Sequence, residues 1–165
     1  MKSNPLLELR RYGQSIWLDL LRRSLITSGE LSRLVNEDGL RGVTSNPKIF
    51  ADAIEGSADY DGDIRALAKT TGNVTEIYES LAVTDIENAA DVLRPVYDAT
   101  DGRDGYVSLE VNPHLAHDTE GAIAEARRLW KTVDRPNVFI KIPATIEGVP
   151  AIERCLTEGI NINVT

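Results

Sequence analysis

Cysteine, basic residues and long apolar runs are all scarce in this sequence, and each shortage excludes a class of protein. Cys155 is the single cysteine, so the chain cannot form an internal disulfide. No cluster of cysteine and histidine has the spacing of metal ligands, so neither a metal nor another cofactor is expected. No apolar run could span a bilayer, and no signal-peptide pattern occurs at the N-terminus. We therefore expect a cytoplasmic protein that has no membrane partner.

The charge balance is acidic, with 18 lysine and arginine residues against 26 aspartate and glutamate residues and no basic run. A surface of this sign repels nucleic acids and anionic membranes, so neither is expected as a partner. A small anionic metabolite is not excluded, because a few local donors suffice to bind it. The 165 residues, 42% of them apolar, are enough to bury the core of one soluble domain.

The most informative stretch is NVFIKIPAT, from Asn137 to Thr145. Its β-branched and aromatic residues, bounded by proline on both sides, predict a buried strand. Lys141 lies in the middle of this strand, and buried lysines are rare because desolvation disfavours the ammonium form. Such a lysine is either a nucleophilic amine, a member of a buried ion pair, or a residue of a solvated edge strand. The strand by itself does not decide among these three.

Strands and helices alternate along the rest of the chain, which predicts a parallel sheet. The predicted strands are Gln14–Leu21, Leu40–Asn46, Tyr106–Asn112, Asn137–Thr145 and Ile160–Thr165. Helices are predicted over 5–12, 74–99 and 149–158, with a helical insert over 52–71 and Pro47 in the first turn of a helix. Two more are predicted from their caps, one after Thr27 or Ser28 that runs to Asn36 and one after Asp118 or Thr119 that runs to about Val133.

Each predicted strand has one apolar and one polar face, whereas strands covered by helices on both sides are apolar throughout. This favours a (β/α) barrel with a polar lumen over a sheet that is half exposed to water, and it places the chemistry at the carboxyl ends of the strands. The polar residues on the common face include Asp19, Thr44, Asn46, Glu110, Lys141, Asn163 and Thr165.

A neutral lysine in such a lumen can attack a carbonyl and form a Schiff base, which then accepts electrons from an adjacent C–C bond. Glu110 on the neighbouring strand is the candidate for moving protons through a bound water. Asp19 is the candidate base for the substrate hydroxyl, since two carboxylates in different surroundings can divide acid and base work. The neutral side chains of Asn46, Thr44, Asn163 and Thr165 would bind sugar hydroxyls.

Five segments together resemble the N-terminal half of a transaldolase. They are LDL with Asp19, GVTSNP with Asn46, SLEVNP with Glu110, IKIPAT with Lys141, and GININ followed by Val164 and Thr165. The insert between the second and third segments is similar to that of the long bacterial transaldolases, some of which are fused to a phosphoglucose isomerase.

The resemblance implies the first five β/α units of a (β/α)8 TIM-barrel class I aldolase, with residues 1–165 as the N-terminal part of one domain. It implies that Lys141 binds C2 of sedoheptulose 7-phosphate or fructose 6-phosphate in the pentose phosphate pathway. Glu110 would handle protons, and Asp19 would deprotonate the C4 hydroxyl. The dihydroxyacetone unit would pass to glyceraldehyde 3-phosphate or erythrose 4-phosphate, and no cofactor or metal is needed.

Other interpretations remain open at this point. A different Schiff-base barrel aldolase, acting on fructose 6-phosphate or deoxyribose phosphate, has the same kind of lysine. A non-catalytic barrel fragment that serves as an assembly module is the alternative outside enzymology. Because a full barrel takes about 250 residues, we expect the 165-residue chain alone to have little or no activity. Its open edge strands also suggest pairing with a second copy.

Overall fold

A computed structural model describes residues 4–165 and contains one five-stranded parallel sheet. The strands are β1 Ile16–Asp19, β2 Leu40–Thr44, β3 Tyr106–Glu110, β4 Val138–Ile142 and β5 Ile162–Val164. Their order in the sheet is the same as their order along the chain, and each strand pairs in parallel with the next. The strands form a half-barrel consistent with the first five units of a (β/α)8 barrel, which confirms the predicted fold class.

Helices cover the outer face of this half-barrel. They are α1 Pro5–Glu8, α2 Arg23–Thr27, α3 Glu30–Arg33, α4 Pro47–Glu55, α5 Asp61–Leu67, α6 Val74–Ala99, α7 Thr119–Val133 and α8 Gly148–Thr157. Single 3-10 turns lie at Leu9–Tyr12, Ala58–Tyr60 and Pro113–Leu115, and a π turn at Leu34–Asp38. Within residues 4–165, no helix combines the length and the apolar character that a membrane crossing requires.

Local chain chemistry explains where the main helices begin. The Asn46, Asn73 and Asp118 side chains accept hydrogen bonds from the first turns of α4, α6 and α7, which otherwise leave backbone N–H groups without partners. Pro47 occupies the first position of α4, as expected from the sequence, because its missing N–H costs nothing there.

The sequence-based segments differ from the structure in three places. The helix expected to be capped by Thr27 or Ser28 begins at Glu30, because Gly29, with a left-handed φ of 80°, precedes its first turn. It continues beyond α3 as the π turn and ends at Gly39. The helix α2 was not predicted at all, since its five residues are too short to show a periodic pattern. The insert predicted over 52–71 instead consists of the end of α4, a 3-10 turn and α5.

The hydrophobic core lies between the outer face of the sheet and the helices, with α6 at its centre. A buried stripe of α6 packs on β3 and β2, while β4 packs on α7 and α8. The buried apolar residues of β3, β4 and α6 include Val107, Leu109, Val138, Ile140, Ile86, Ala89, Ala90 and Leu93. Asn137 is also fully buried, and its amide donates to the Ala90 and Gly105 carbonyls at 2.8 and 2.9 Å. This side chain ties α6 to the starts of β3 and β4.

Candidate active site

Lys141 and Glu110 face each other inside the half-barrel. They are register partners on β4 and β3, and the Nζ atom of Lys141 lies 3.1 Å from Oε2 of Glu110. Their side chains are only 13% and 15% exposed. Of the three interpretations of Lys141, the solvated edge strand is wrong, because β4 lies between β3 and β5. The lysine is in a largely buried ion pair, and its carboxylate partner contacts it directly.

The chain after β2 supplies the third group at this lysine. The Ser45 carbonyl lies 3.5 Å from Nζ of Lys141 and accepts its hydrogen bond. Ser45 itself is buried, and its hydroxyl donates to the Ser108 carbonyl at 2.7 Å, which fixes the end of β2 against β3. The next residue, Asn46, accepts from the Ile49 N–H at 2.9 Å and so caps α4. Asn46 therefore has a structural role, and its side-chain NH₂ group is not used by the cap.

Ser108 and Asn163 form a second polar contact inside the lumen. Asn163 is the register partner of Lys141 on β5, and its amide donates to the Ser108 hydroxyl at 2.8 Å. Ser108 is fully buried and lies two residues before Glu110 on the same face of β3. The contact fixes the orientation of the Asn163 amide beside the lysine.

An aromatic layer lies beneath the polar groups. The Phe139 ring stacks on Tyr106 with 4.1 Å between centroids and on Trp17 with 6.1 Å. Trp17 packs over Gly42, where a larger residue would not fit because an ideal Cβ would lie 2.2 Å from the indole ring. Phe139 precedes Lys141 by two residues on the same face of β4, so the aromatic layer lies next to the lysine side chain.

The other predicted site residues lie further from Lys141. Asp19 is exposed at the end of the edge strand β1 and pairs in register with Thr44, which is itself the partner of Ser108. Asp19, Thr44 and Ser108 therefore lie one inward-facing position closer to the amino ends of the strands than Glu110 and Lys141 do. Thr165 is exposed beyond β5; its backbone N–H donates to the Ile142 carbonyl at 3.1 Å, and its carbonyl accepts from the Ala144 N–H at 2.7 Å. The structure thus brings together Lys141, Glu110 and Asn163, whereas Asp19 and Thr165 lie exposed at the two edge strands.

A cavity of about 290 Å³ is lined by Glu110 but not by Lys141. It lies among α4, α6 and α7, its walls contain both apolar and polar side chains, and Tyr78 is one of them. Burial, together with the negative charge of Glu110, raises the pKa of Tyr78 to about 12. Glu110 therefore borders both the lumen and this side cavity. Within residues 4–165, no cluster of three side chains suited to a metal ion occurs.

Comparison with known proteins decides the family. A family model described as Transaldolase/Fructose-6-phosphate aldolase matches residues 16–165. The chain belongs to this family. The matched range includes all five strands and every predicted site residue, so the motif-based resemblance is confirmed at the level of the family.

The curated relatives are similar over the whole chain. "Transaldolase 2" of Nostoc punctiforme is 53% identical over 165 residues, which cover 100% of this chain and 43% of that protein. A transaldolase of Acidothermus cellulolyticus is 55% identical over 163 residues, 99% of this chain and 44% of the relative. One of Trichodesmium erythraeum is 53% identical over 165 residues, 100% of this chain and 43% of the relative. The chain spans less than half the length of these relatives.

Sequence reasoning missed two contributors to the site. The contact of Lys141 with the Ser45 carbonyl cannot be predicted from residue types, because every residue has a backbone carbonyl. Ser108 was visible as a polar residue on the lumen face, but its bond to Asn163 crosses from β3 to β5 and depends on how the strands pair. A serine two residues before a lumen carboxylate was the available signal.

Proposed function

We propose that this chain supplies the Schiff-base lysine and the proton-transfer groups of a transaldolase. The whole enzyme would transfer a dihydroxyacetone unit from a ketose phosphate to an aldose phosphate, with residues 1–165 as the N-terminal part of one barrel domain. The observation that carries the proposal is the contact of 3.1 Å between Lys141 and Glu110 in a largely buried lumen. The names of the relatives support the choice of reaction.

The ion pair gives a direct route to the reactive amine. Transfer of one proton from the Lys141 ammonium to the Glu110 carboxylate leaves a neutral amine beside a carboxylic acid. The amine adds to the C2 carbonyl of fructose 6-phosphate or sedoheptulose 7-phosphate and forms a carbinolamine. Glu110 then donates its proton to the carbinolamine hydroxyl, which leaves as water and produces the iminium ion. A water that enters between the two groups would serve as the relay expected from the sequence.

Cleavage of the C3–C4 bond needs a base for the C4 hydroxyl, and Asp19 has this role in the proposal. As Asp19 takes the proton, the C4 carbon becomes the aldehyde of the released aldose phosphate, and the bonding electrons move to the iminium nitrogen as an enamine. The enamine attacks the aldehyde of glyceraldehyde 3-phosphate or erythrose 4-phosphate, and hydrolysis of the new iminium frees Lys141. Asn163, Asn46, Thr44 and Thr165 would bind substrate hydroxyls along the strand ends.

A fructose 6-phosphate aldolase is the second candidate function, because the description of the matching family model includes this activity. Both reactions share the lysine iminium, and they differ in the fate of the three-carbon unit. A transaldolase passes it to an aldose phosphate, whereas an aldolase releases free dihydroxyacetone. Measuring both products with and without an acceptor separates the two.

We also propose that residues 1–165 turn over substrate slowly or not at all without further chain. Asp19 lies exposed on an edge strand, and the lumen is open between β1 and β5. Pairing of these edges with a second copy stays a prediction that a molecular mass in solution would test. A cytoplasmic location also stays a prediction.

Borohydride trapping tests the chemistry at Lys141. The chain is incubated with fructose 6-phosphate, reduced, and digested for peptide mapping by mass spectrometry. We expect a three-carbon adduct on Lys141 that disappears in Lys141→Ala but persists in Lys131→Ala, which removes an exposed lysine from α7. An adduct spread over surface lysines, or none on a longer protein that contains the whole barrel, would contradict the proposal.

A further inference from the structure

A second polar cavity lies at the amino ends of the strands, at the opposite end of the half-barrel from Lys141. Its volume is about 400 Å³, and it is bounded by the chain before β1, the start of β2 and the turn between α6 and β3. Three arginines from these three segments line it, namely Arg10, Arg41 and Arg103. The remaining lining residues are Gly13, Gln14, Ser15, Thr100 and Asp104.

The three guanidinium groups have no carboxylate within ion-pair distance among residues 4–165, although the chain is acidic overall. Arg41 donates to the Leu40 carbonyl at 3.3 Å, and Arg103 donates to the Thr100 carbonyl at 3.0 Å. Each group therefore keeps most of its five N–H donors for another partner. Burial lowers the pKa of Arg41, as does the positive charge of Arg10, while Asp104 opposes the shift.

Gly39 and Asp104 determine the space and the charge balance of this cavity. Gly39 has a left-handed φ of 77°, and an ideal Cβ there would lie 2.8 Å from Nη2 of Arg10, so the glycine leaves room for the guanidinium. Asp104 is the single carboxylate lining the cavity, and one of its oxygens accepts the Ser15 hydroxyl. The cavity thus contains three positive charges against one negative charge, with Arg10 and Arg103 exposed to solvent and Arg41 half-buried. This excess of positive charge favours an anion as the ligand.

We propose that this cavity binds a compact phosphate anion of two or more negative charges, at a site separate from the Schiff-base lysine. Guanidinium groups pair with phosphate oxygens through parallel N–H donors, and several arginines around one anion are the usual arrangement of such sites. The source of the phosphate is either the free inorganic ion or a phosphorylated metabolite. The inference rests on the amino-end cavity alone and does not depend on the reaction proposed for Lys141.

Calorimetric titration tests the site on the intact chain with three probes at fixed ionic strength. Inorganic phosphate and pyrophosphate represent the free ions, and glucose 1,6-bisphosphate represents a metabolite. Its anomeric carbon carries a phosphate, so it offers Lys141 no carbonyl. We expect saturable binding of one stoichiometric equivalent of at least one probe. Tighter binding of the bisphosphate identifies a metabolite site, and tighter binding of phosphate or pyrophosphate identifies a site for the free ion.

Matched variants locate the binding. Loss of one charge-assisted contact in Arg41→Gln should weaken the affinity about tenfold or more, and Arg10→Gln should act in the same direction. Lys69→Gln removes the same charge from an exposed position outside the cavity and should leave the affinity unchanged. Circular dichroism confirms that each variant is folded. Absence of saturable binding by all three probes, or equal weakening by Lys69→Gln and Arg41→Gln, overturns the proposal.

Discussion

Removing the charge of Glu110 should destabilise the fold, because it leaves the Lys141 ammonium in a mostly buried site without its counter-ion. Breaking a buried pair by changing one partner costs about 3 to 5 kcal/mol. The lysine here keeps 13% of its side-chain surface in solvent and a carbonyl acceptor at 3.5 Å, and a glutamine side chain still offers an oxygen. We therefore expect Glu110→Gln to lower the free energy of unfolding by about 2 kcal/mol.

A double-mutant cycle separates this effect from a general loss of packing. Lys141→Met leaves the Glu110 carboxylate without its partner and should cost a similar amount, whereas the double substitution removes both charges and should cost less than about 1 kcal/mol. The expected coupling between the two positions is then about 3 kcal/mol or more, because the two single costs together exceed the cost of the double substitution by that amount. The double variant should be more stable than either single variant.

Urea unfolding followed by circular dichroism measures the cycle, provided that the dependence on urea concentration stays the same in all variants. The Lys48 and Asp52 pair on α4 is the matched control. Its nitrogen and oxygen lie 2.9 Å apart, but the side chains are 82% and 62% exposed, so we expect no measurable coupling there. Additive costs at Glu110 and Lys141 would refute the buried ion pair, and with it the proposed proton transfer.

Residues outside the pair give three further predictions. Asp85 is fully buried against an arginine and a tyrosine, so Asp85→Ala should cost about 3 to 5 kcal/mol in urea unfolding. Gly42→Ala should cost about 1 to 3 kcal/mol because its methyl group meets the Trp17 ring, while Gly62→Ala, in open space on α5, should not destabilise. Burial raises the pKa of Tyr78 to about 12 in the folded chain, against 10.0 for an ordinary phenol. The contribution of its neutral phenol to stability is therefore fully present below pH 10 and is lost as the pH rises from 10 towards 12. The Tyr78→Phe chain should lack this alkaline destabilisation, and an unchanged alkaline unfolding curve would contradict the assignment.

The pairing of Glu110 with Lys141 could be predicted from the sequence because it follows from period-two alternation on neighbouring parallel strands. Both residues occupy inward positions near the carboxyl ends of their strands, so a parallel register that buries the apolar faces and aligns the strand ends brings them close. The position of Asp19 could not be obtained in this way. Its placement depends on the edge strand β1, which ends at that residue and leaves the carboxylate exposed.

The aromatic layer of Trp17, Tyr106 and Phe139 shows a different limit of sequence reasoning. Alternation along the strands places Trp17 on the face of Asp19 and Phe139 on the face of Lys141, but the stacking of the two rings requires that β2 carry no side chain between them at Gly42. A glycine inside a strand signals a close approach without saying what approaches. Similarly, α2 and α3 are one short turn each, and tertiary packing rather than local periodicity determines where they bend.

The order of the strands has a consequence for how the chain folds. Except for β2 and β3, neighbouring strands are separated along the chain by one short β/α unit, so their contacts form between nearby parts of the chain. Pairing of β2 with β3 is different, because the whole segment from Ser45 to Gly105 must be enclosed before the Arg41 carbonyl meets the Gly105 N–H. Closing this long loop carries the largest chain-entropy cost in the sheet. We therefore expect docking of α6 to limit the folding rate. During synthesis, β3 can pair with β2 and extend the sheet only after α6 has been made and has docked.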